Sequence, residues 1–599
     1  MNGGDLTLGL VALSALVLPG WLAARAARVP LPALAGFIGG VVALVGLVLT
    51  FDALGLRLDL LHCGAGWLAL TLIALAYSRS VVTPAPAIGP RFVWREHAPL
   101  LLALVPALAV VIYRAVAQPL FGIDTIFRWN YLAEQMLARG TLAFYPPATA
   151  ADYAIYAWPD GIAPTVSASY FWTYVLAGAN RPVLTASLVI GQFLLILLGT
   201  HALARRMFSD RAAAFAVALV ACSPVVLWAT AMGQETGLMT LAMLGLLLYL
   251  PADKAGETTG ALVFAGLAAG LAALAREYGL ALPLLGLALA CARRLSLRAV
   301  LIFSFVAALA ALPWYARNWA HTGNPLFNLG LFGLFPVNPT HAWLNDSYQA
   351  EFGWARIPSG ATRFAIVNCL AAMLGGAAGA WLFFRQSRAL LLSAALIAAL
   401  WAASVGYTAA GFTTALRVLA PALPLAAVLG GAACAHWIPA HRHLAGAGFA
   451  LAVFATDSAL RALTLPGTVY KIPPADWLTA GHAVHDYHAR PIYAELARAA
   501  GPARILALGP NALLTSRGAS TLPLWSPEVS YLFDNRLTPD AVARRLLAAN
   551  IGFVLLNRGP ANERFLARSA FFRDPGPALR AVWTDGDMVF LRVNAPVGQ

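Results

Sequence analysis

From Leu6 to Leu465 the chain is a succession of long apolar runs separated by short polar breaks. A bilayer core takes about 20 apolar residues per helix, and by that measure the pattern predicts about fourteen membrane spans. They fall at 6–26, 31–51, 59–77, 98–118, 182–204, 212–230, 234–250, 260–275, 277–292, 298–315, 362–384, 389–410, 415–436 and 444–465. After Pro466 the pattern changes. Residues 503–509 and 551–557 read as buried strands. Thr538, Pro539 and Asp540 supply the cap, first-turn proline and acidic start of a helix burying Val542, Leu546 and Leu547. Residues 581–584 and 588–593 flank Asp585 and Gly586 as a hairpin would. The predicted fold is therefore a polytopic α-helical membrane protein with a C-terminal extramembrane α/β domain. It divides into leading helices over 1–97, a transmembrane core over 98–465 with an external loop at 119–181, and a tail domain over 466–599.

Composition agrees with a lipid environment: of 599 residues 60% are hydrophobic and 11% charged, against about 25% charged in soluble domains. The net charge of +14 comes from arginines placed between the spans, which excludes a nucleic-acid reading based on charge alone. With the N-terminus outside, Arg25, Arg28, Arg79, Arg91, Arg95, Arg205, Arg206, Arg211, Arg293, Arg294, Arg298, Arg385, Arg388 and Arg442 all fall in cytoplasmic loops. The positive-inside rule selects that orientation. Residues 119–181, 314–362 and the tail then share the external face, where the chemistry is to be sought. Met1 to Asp5 has no basic region, so the first run reads as a retained helix rather than a cleaved signal. The five cysteines lie within apolar spans without metal or disulfide spacing, and His321 and His341 lack ligand spacing.

Beyond the fourth span, Asp124 opens a helical pattern with Ile126, Trp129, Ala133, Met136 and Leu137 on one face, suited to a helix lying on the membrane surface. Asp124 reads either as a helix cap or as a base where a lipid-linked sugar is presented. Arg276-Glu277-Tyr278 occupies an outward turn. Arg276 either pairs with Glu277 or snorkels, or it clamps a phosphate through its planar guanidinium. Glu235 reads as a first-turn acid complementing the helix dipole, or as a second acid assisting Asp124. Arg317 and Arg417 read as interface anchors or phosphate ligands.

Gly122-Ile123-Asp124 followed by its helix, then Trp158-Pro159-Asp160-Gly161-Ile162-Ala163-Pro164, resembles the first external loop of GT-C glycosyltransferases. Cys222-Ser223-Pro224 with Gly233-Gln234-Glu235, Pro313-Trp314-Tyr315-Ala316-Arg317-Asn318 with Thr322-Gly323-Asn324-Pro325, and Arg417 ahead of Pro421 and Pro424 agree in order and side. The resemblance covers residues 98–599 and is nearest to the protein O-mannosyltransferase and lipid A aminoarabinose transferase group. It implies transfer of a sugar from a polyprenyl-phosphate carrier to a glycan, lipid or protein acceptor at a bacterial inner membrane. It also implies that Asp124 is the catalytic carboxylate and supports Arg276 as a phosphate ligand. Thr125 stands where a second acid often follows in that group, so a paired-acid metal site is not implied, and a divalent cation is left open. The expected site has Asp124 and Glu235 as catalytic acids and Arg276, Arg317 and Arg417 on the donor phosphate. Arg128, Tyr131, Tyr278 and Asn318 are candidates for donor or acceptor contacts. A carrier flippase or transporter, or a surface-polysaccharide polymerase or ligase, is the alternative. Neither a Gly-rich phosphate loop nor a metalloprotease helix motif occurs, and Asp585-Gly586-Asp587 is explained by its hairpin tip.

Overall fold

Helices form where the apolar runs predict them. The computed structural model describes residues 3–80, 124–357, 361–407, 411–438 and 491–595, with scattered positions between 104 and 120. The expected span at 444–465 lies outside the described residues, and that at 98–118 nearly so. Among the described residues seven helices are long and apolar enough to cross a membrane, or eight when one bent pair is counted as a span. Shorter apolar helices, Glu235–Tyr249, Thr259–Ala275 and Glu277–Ala292, stand where three further spans are expected.

The bent pair has a local cause. Pro224 has no amide hydrogen and disfavours helical geometry at the residue before it. Ser223 is accordingly extended at φ −81°, ψ 115°, and Asp210–Ala221 meets Pro224–Ala231 at 64°. The second half ends at Gly233, whose φ of +64° suits a glycine, and Gln234 is extended before Glu235 starts the next helix. This break brings Gln234 and Glu235 into the protein interior, where they are 1% and 3% exposed.

One helix departs from the sequence pattern. Thr165–Ala177, expected as part of an external connection, is a helix buried from Thr165 to Val175. Its polar side chains bond to neighbouring elements: Thr165 Oγ1 donates to the Leu274 carbonyl at 2.7 Å, Trp172 Nε1 to the Ala12 carbonyl at 3.0 Å, and Tyr170 hydroxyl to the Gly233 carbonyl. The leading helices, Gly3–Ala26, Pro32–Ala53 and Leu60–Ser80, contribute Ala12, Leu16, Phe37, Val45 and Trp67 to the main apolar cluster. The first two pack so closely that a Cβ on Gly40 would lie 2.1 Å from the Leu16 carbonyl oxygen.

The tail carries a five-stranded sheet of β1 (Arg504–Leu508), β2 (Thr521–Pro523), β3 (Ile551–Asn557), β4 (Leu579–Asp585) and β5 (Met588–Val593), in the order β2-β1-β3-β5-β4. β1 runs parallel to β2 and β3, and β5 is antiparallel to β3 and β4. The apolar runs of β1 and β3 are those of central strands covered on both faces. The expected helix is Pro539–Ala548, with the Thr538 side chain accepting from the Ala541 amide. It buries Val542, Ala543 and Leu546, while Leu547 turns outward at 37% exposure, so that part of the expected face is corrected. The residues 466–490 of the expected domain lie outside the described residues.

The extramembrane segments meet. Trp525 of the tail donates Nε1 to the Ala157 carbonyl at 2.5 Å, and Asn338 donates Nδ2 to the Trp525 carbonyl at 2.8 Å. Arg564 approaches Glu351 at 3.5 Å and Arg568 approaches Asp346 at 3.7 Å. The first loop, the 323–357 segment and the tail therefore lie on one face.

Candidate active site

Asp124 precedes a π-helical turn, Thr125–Asn130, which continues as the helix Tyr131–Arg139. Trp129, Leu132, Ala133 and Met136 are 0–1% exposed, and Ile126 packs against the apolar cluster of the tail that includes Tyr493, Leu513 and Phe590. The apolar face is thus covered by protein, not laid on lipid as the amphipathic pattern suggested. Periodicity reports that a face is buried and cannot report what buries it.

The cap reading of Asp124 fails on geometry. Its backbone is already helical at φ −61°, ψ −33°, and its side chain makes no capping hydrogen bond. Instead Arg417 Nη2 donates to Asp124 Oδ2 at 3.2 Å. Burial acts to raise the Asp124 carboxyl, but the guanidiniums of Arg417, Arg128 and Arg276 override it and hold the group below the usual carboxylate range. At 26% side-chain exposure it remains reachable from outside, whereas Arg417 is 9% exposed.

Around this pair the fold gathers further charges. Arg128 Nε lies 2.7 Å from Asp160 Oδ2, close enough for an ion pair but poorly aligned for a hydrogen bond. Asp160 Oδ1 accepts from the Tyr145 hydroxyl at 2.7 Å. Arg276 lies 3.6 Å from Glu235 and 3.2 Å from Glu277. Buried atoms here lack a hydrogen-bond partner among the described residues, namely Glu235 Oε2, Arg276 Nη1 and the Tyr278 hydroxyl. Interiors rarely leave such atoms unsatisfied, so water or a polar ligand completes their hydrogen bonding.

Asp124, Glu235, Arg276, Arg417, Arg128 and Tyr278 are therefore brought together, and three other candidates are not. Arg317 pairs with Asp52 at 2.9 Å and donates to the Leu142 carbonyl at 2.8 Å and the Tyr145 carbonyl at 3.3 Å. All of its nitrogens are engaged in bracing the loop, which removes the geometric basis for a phosphate role. Asn318 is fully buried and donates to the Gly161 carbonyl at 2.7 Å, beside Trp314 Nε1 at 2.8 Å on the same oxygen. It pins the turn after Asp160 instead of facing a substrate. Tyr131 is buried, stacks on Tyr156 at 6.5 Å, and hydrogen-bonds Thr515 of the tail.

Asp52, Asp160 and Gln234 have no role predicted from the sequence, yet all three hold charged partners. Asp52 carried one signal, a carboxylate at the end of an apolar run, which calls for a partner. Asp160 was visible within Trp158–Pro164, but its pairing with Arg128 spans a loop that no periodicity predicts. His341, edge-on to Trp158 at 6.1 Å and to Trp525 at 5.4 Å, is pushed down to about 3 by burial and by Arg128, and is neutral at physiological pH. The divalent cation left open by the sequence finds no group of three or more His, Cys, Asp or Glu side chains to hold it among the described residues.

Residues 170–320 match the family profile described as dolichyl-phosphate-mannose-protein mannosyltransferase. The match spans 151 of the chain's 599 residues. Gln234, Glu235, Arg276 and Tyr278 lie inside the matched segment, whereas Asp124, Arg128 and Arg417 reach the same site from outside it. No curated protein matches the chain significantly by sequence. Among solved structures, the chain is similar to the Archaeoglobus fulgidus oligosaccharyltransferase AglB in complex with an inhibitory peptide and a dolichol-phosphate, at 14% identity and TM-score 0.49 over 84% of this chain and 76% of that one. It is also similar to ArnT from Cupriavidus metallidurans bound to undecaprenyl phosphate, at 16% identity and TM-score 0.45 over 82% of this chain and 97% of that one.

Proposed function

We propose that the chain transfers a glycosyl group from a polyprenyl-phosphate carrier to an acceptor hydroxyl at the external face of a bacterial inner membrane, with inversion. The observation that carries this reading is the Asp124 carboxylate, uncapped, partly exposed and 3.2 Å from Arg417, with the Arg128 and Arg276 guanidiniums near enough to act on its charge. The match to a dolichyl-phosphate-mannose-dependent family supports a lipid-phosphate donor.

The chemistry follows from the charges. A sugar phosphate already has a good leaving group, so the reaction needs a base for the acceptor and cations for the departing phosphate. Asp124 takes the acceptor proton, the acceptor oxygen bonds to the anomeric carbon, and the carbon–oxygen bond to phosphate breaks as the polyprenyl phosphate leaves. A single displacement of this kind inverts the anomeric centre. Arg417 and Arg276 are assigned to the phosphate, and Glu235 to holding Arg276 in place.

Purified chain in proteoliposomes with radiolabelled polyprenyl-phosphate mannose should release polyprenyl phosphate in step with labelling of a membrane-extract acceptor. Absence of both under saturating donor would sink the assignment for that donor. Replacing Arg417 or Arg276 with Ala should weaken carrier binding by about 1.5–3 kcal/mol, the range for a hydrogen bond to a charged group. Wild-type affinity in both variants would refute the clamp. A phosphatase reporter fused after Gln599 should be active only outside the cytoplasm, and cytoplasmic placement would put Asp124 on the wrong side for this reaction.

A further inference from the structure

Four arginines, Arg417 buried and the others half-buried, line the loops and helices around the site, and three of them face carboxylates other than Asp124. Arg128 faces Asp160 at 2.7 Å, Arg276 faces Glu235 at 3.6 Å and Glu277 at 3.2 Å, and Arg317 faces Asp52 at 2.9 Å. Arg417 differs. Its carboxylate partner is Asp124 itself, and its Nη1 donates instead to the neutral side-chain oxygen of Gln234.

The orientation of that amide is fixed by chemistry. A guanidinium has no acceptor, so Arg417 can only donate to the Gln234 oxygen. The Gln234 nitrogen then donates to Thr125 Oγ1 at 2.8 Å, and the Thr125 hydroxyl donates to the Met232 carbonyl at 2.8 Å. The chain of donors runs one way, from Arg417 through Gln234 and Thr125 to the backbone of the broken helix. It ties together three elements: the turn that starts at Asp124, the 224–235 break, and the segment bearing Arg417. Glutamate would fill the same volume. It would also neutralise Arg417 and could not donate to Thr125 when ionised.

We propose that Gln234 is a positioning residue whose neutral amide holds Arg417 within reach of Asp124 while leaving its charge uncommitted, so that the guanidinium passes from the Asp124 carboxylate to the phosphate of an arriving donor. The inference rests on the donor reading above. Donor binding then has a second consequence. As Arg417 turns to the phosphate, Asp124 loses its nearest counter-ion and becomes the stronger base, so the acceptor proton is taken only when a donor is in place. The charged and titratable groups that bear on this exchange are Arg417, Arg128 and Arg276 around Asp124, and Asp124 and Tyr278 around Arg417.

The test is the affinity of the purified full chain for undecaprenyl phosphate, with thermal unfolding followed in parallel. Gln234→Glu should weaken binding roughly thirtyfold or more, and Gln234→Met, which removes the amide without adding charge, only about threefold. Asp124→Asn should tighten binding several-fold in the wild-type background, because the carboxylate no longer competes for Arg417, and should have little effect in the Gln234→Glu background. A purely structural role moves none of this coupling. Equal losses in the Glu and Met variants, or an unchanged affinity in Gln234→Glu, would overturn the proposal. If the Glu variant does not fold, the Met variant decides: weakened binding at an unchanged unfolding midpoint supports the role, and wild-type affinity overturns it. Absence of binding by the wild type would instead remove the donor reading, and this inference with it.

Discussion

Asp124→Asn should cut transfer by about 100-fold or more at saturating donor while leaving the fold intact, since general-base catalysis operates on that scale. Asparagine keeps the size and the acceptor oxygen for Arg417 but cannot take a proton at neutral pH. The uncapped geometry at Asp124 removes the rival explanation that would make the substitution silent. A pH profile adds a sign. In the free enzyme the arginines depress the Asp124 carboxyl against the effect of burial, so the acidic limb of kcat/KM should lie below the ordinary carboxylate range, activity falling as pH drops through it. In the donor complex Arg417 is shared with phosphate and a new negative charge stands nearby, so the acidic limb of kcat should lie higher. Turnover of purified Asp124→Asn decides the first point: full activity would return this residue to a structural role. Coincident limbs in the wild type would argue against the exchange of Arg417.

The parts of the molecule most legible in the sequence are those set by one-dimensional patterns. Apolar run lengths mark helices from Gly3–Ala26 through Leu416–Trp437, and the Thr538-Pro539-Asp540 start and the Asp585-Gly586 turn place a helix and a hairpin in the tail. Helix Thr165–Ala177 escapes this logic: Ser167, Ser169, Thr165 and Thr173 make it look like a loop, yet three of these four hydroxyls donate to carbonyls and all are buried. Its burial is a tertiary fact with no local signature. The same holds for β2, only three residues long, which is a strand because β1 pairs with it.

Residue type and sidedness single out Asp124, Glu235, Arg276 and Arg417, which the fold brings together, because charges beside apolar runs are costly and call for partners. They do not reveal which purpose. Arg317 and Arg417 present the same pattern in the sequence, each at the outer mouth of a helix. Only the fold separates them, since one meets Asp52 across 265 positions and the other meets Asp124 across 293. Gln234 is harder still. It carries no charge, and its importance lies in being the neutral member of a charged set.

That distinction makes Arg317→Ala the counterpart of the Asp124 experiment. Asp52 is 5% exposed and Arg317 13% exposed, so removing the guanidinium strands a buried carboxylate that keeps, among the described residues, the Thr141 hydroxyl and the Leu142 amide, each at 2.7 Å. Breaking one side of a buried pair costs about 3–5 kcal/mol, and these two remaining hydrogen bonds put the expected loss near the lower end, about 3 kcal/mol. The loss should appear in thermal or denaturant unfolding. Affinity for undecaprenyl phosphate in the surviving folded fraction should stay at the wild-type value, the reverse of Arg417→Ala. Arg317→Leu combined with Asp52→Asn should recover most of the stability, because both charges leave together and an acceptor remains for the Leu142 amide. A stable Arg317→Ala variant with weakened carrier binding would instead restore Arg317 to the phosphate clamp and make the Asp52 pair a resting contact, broken when donor arrives.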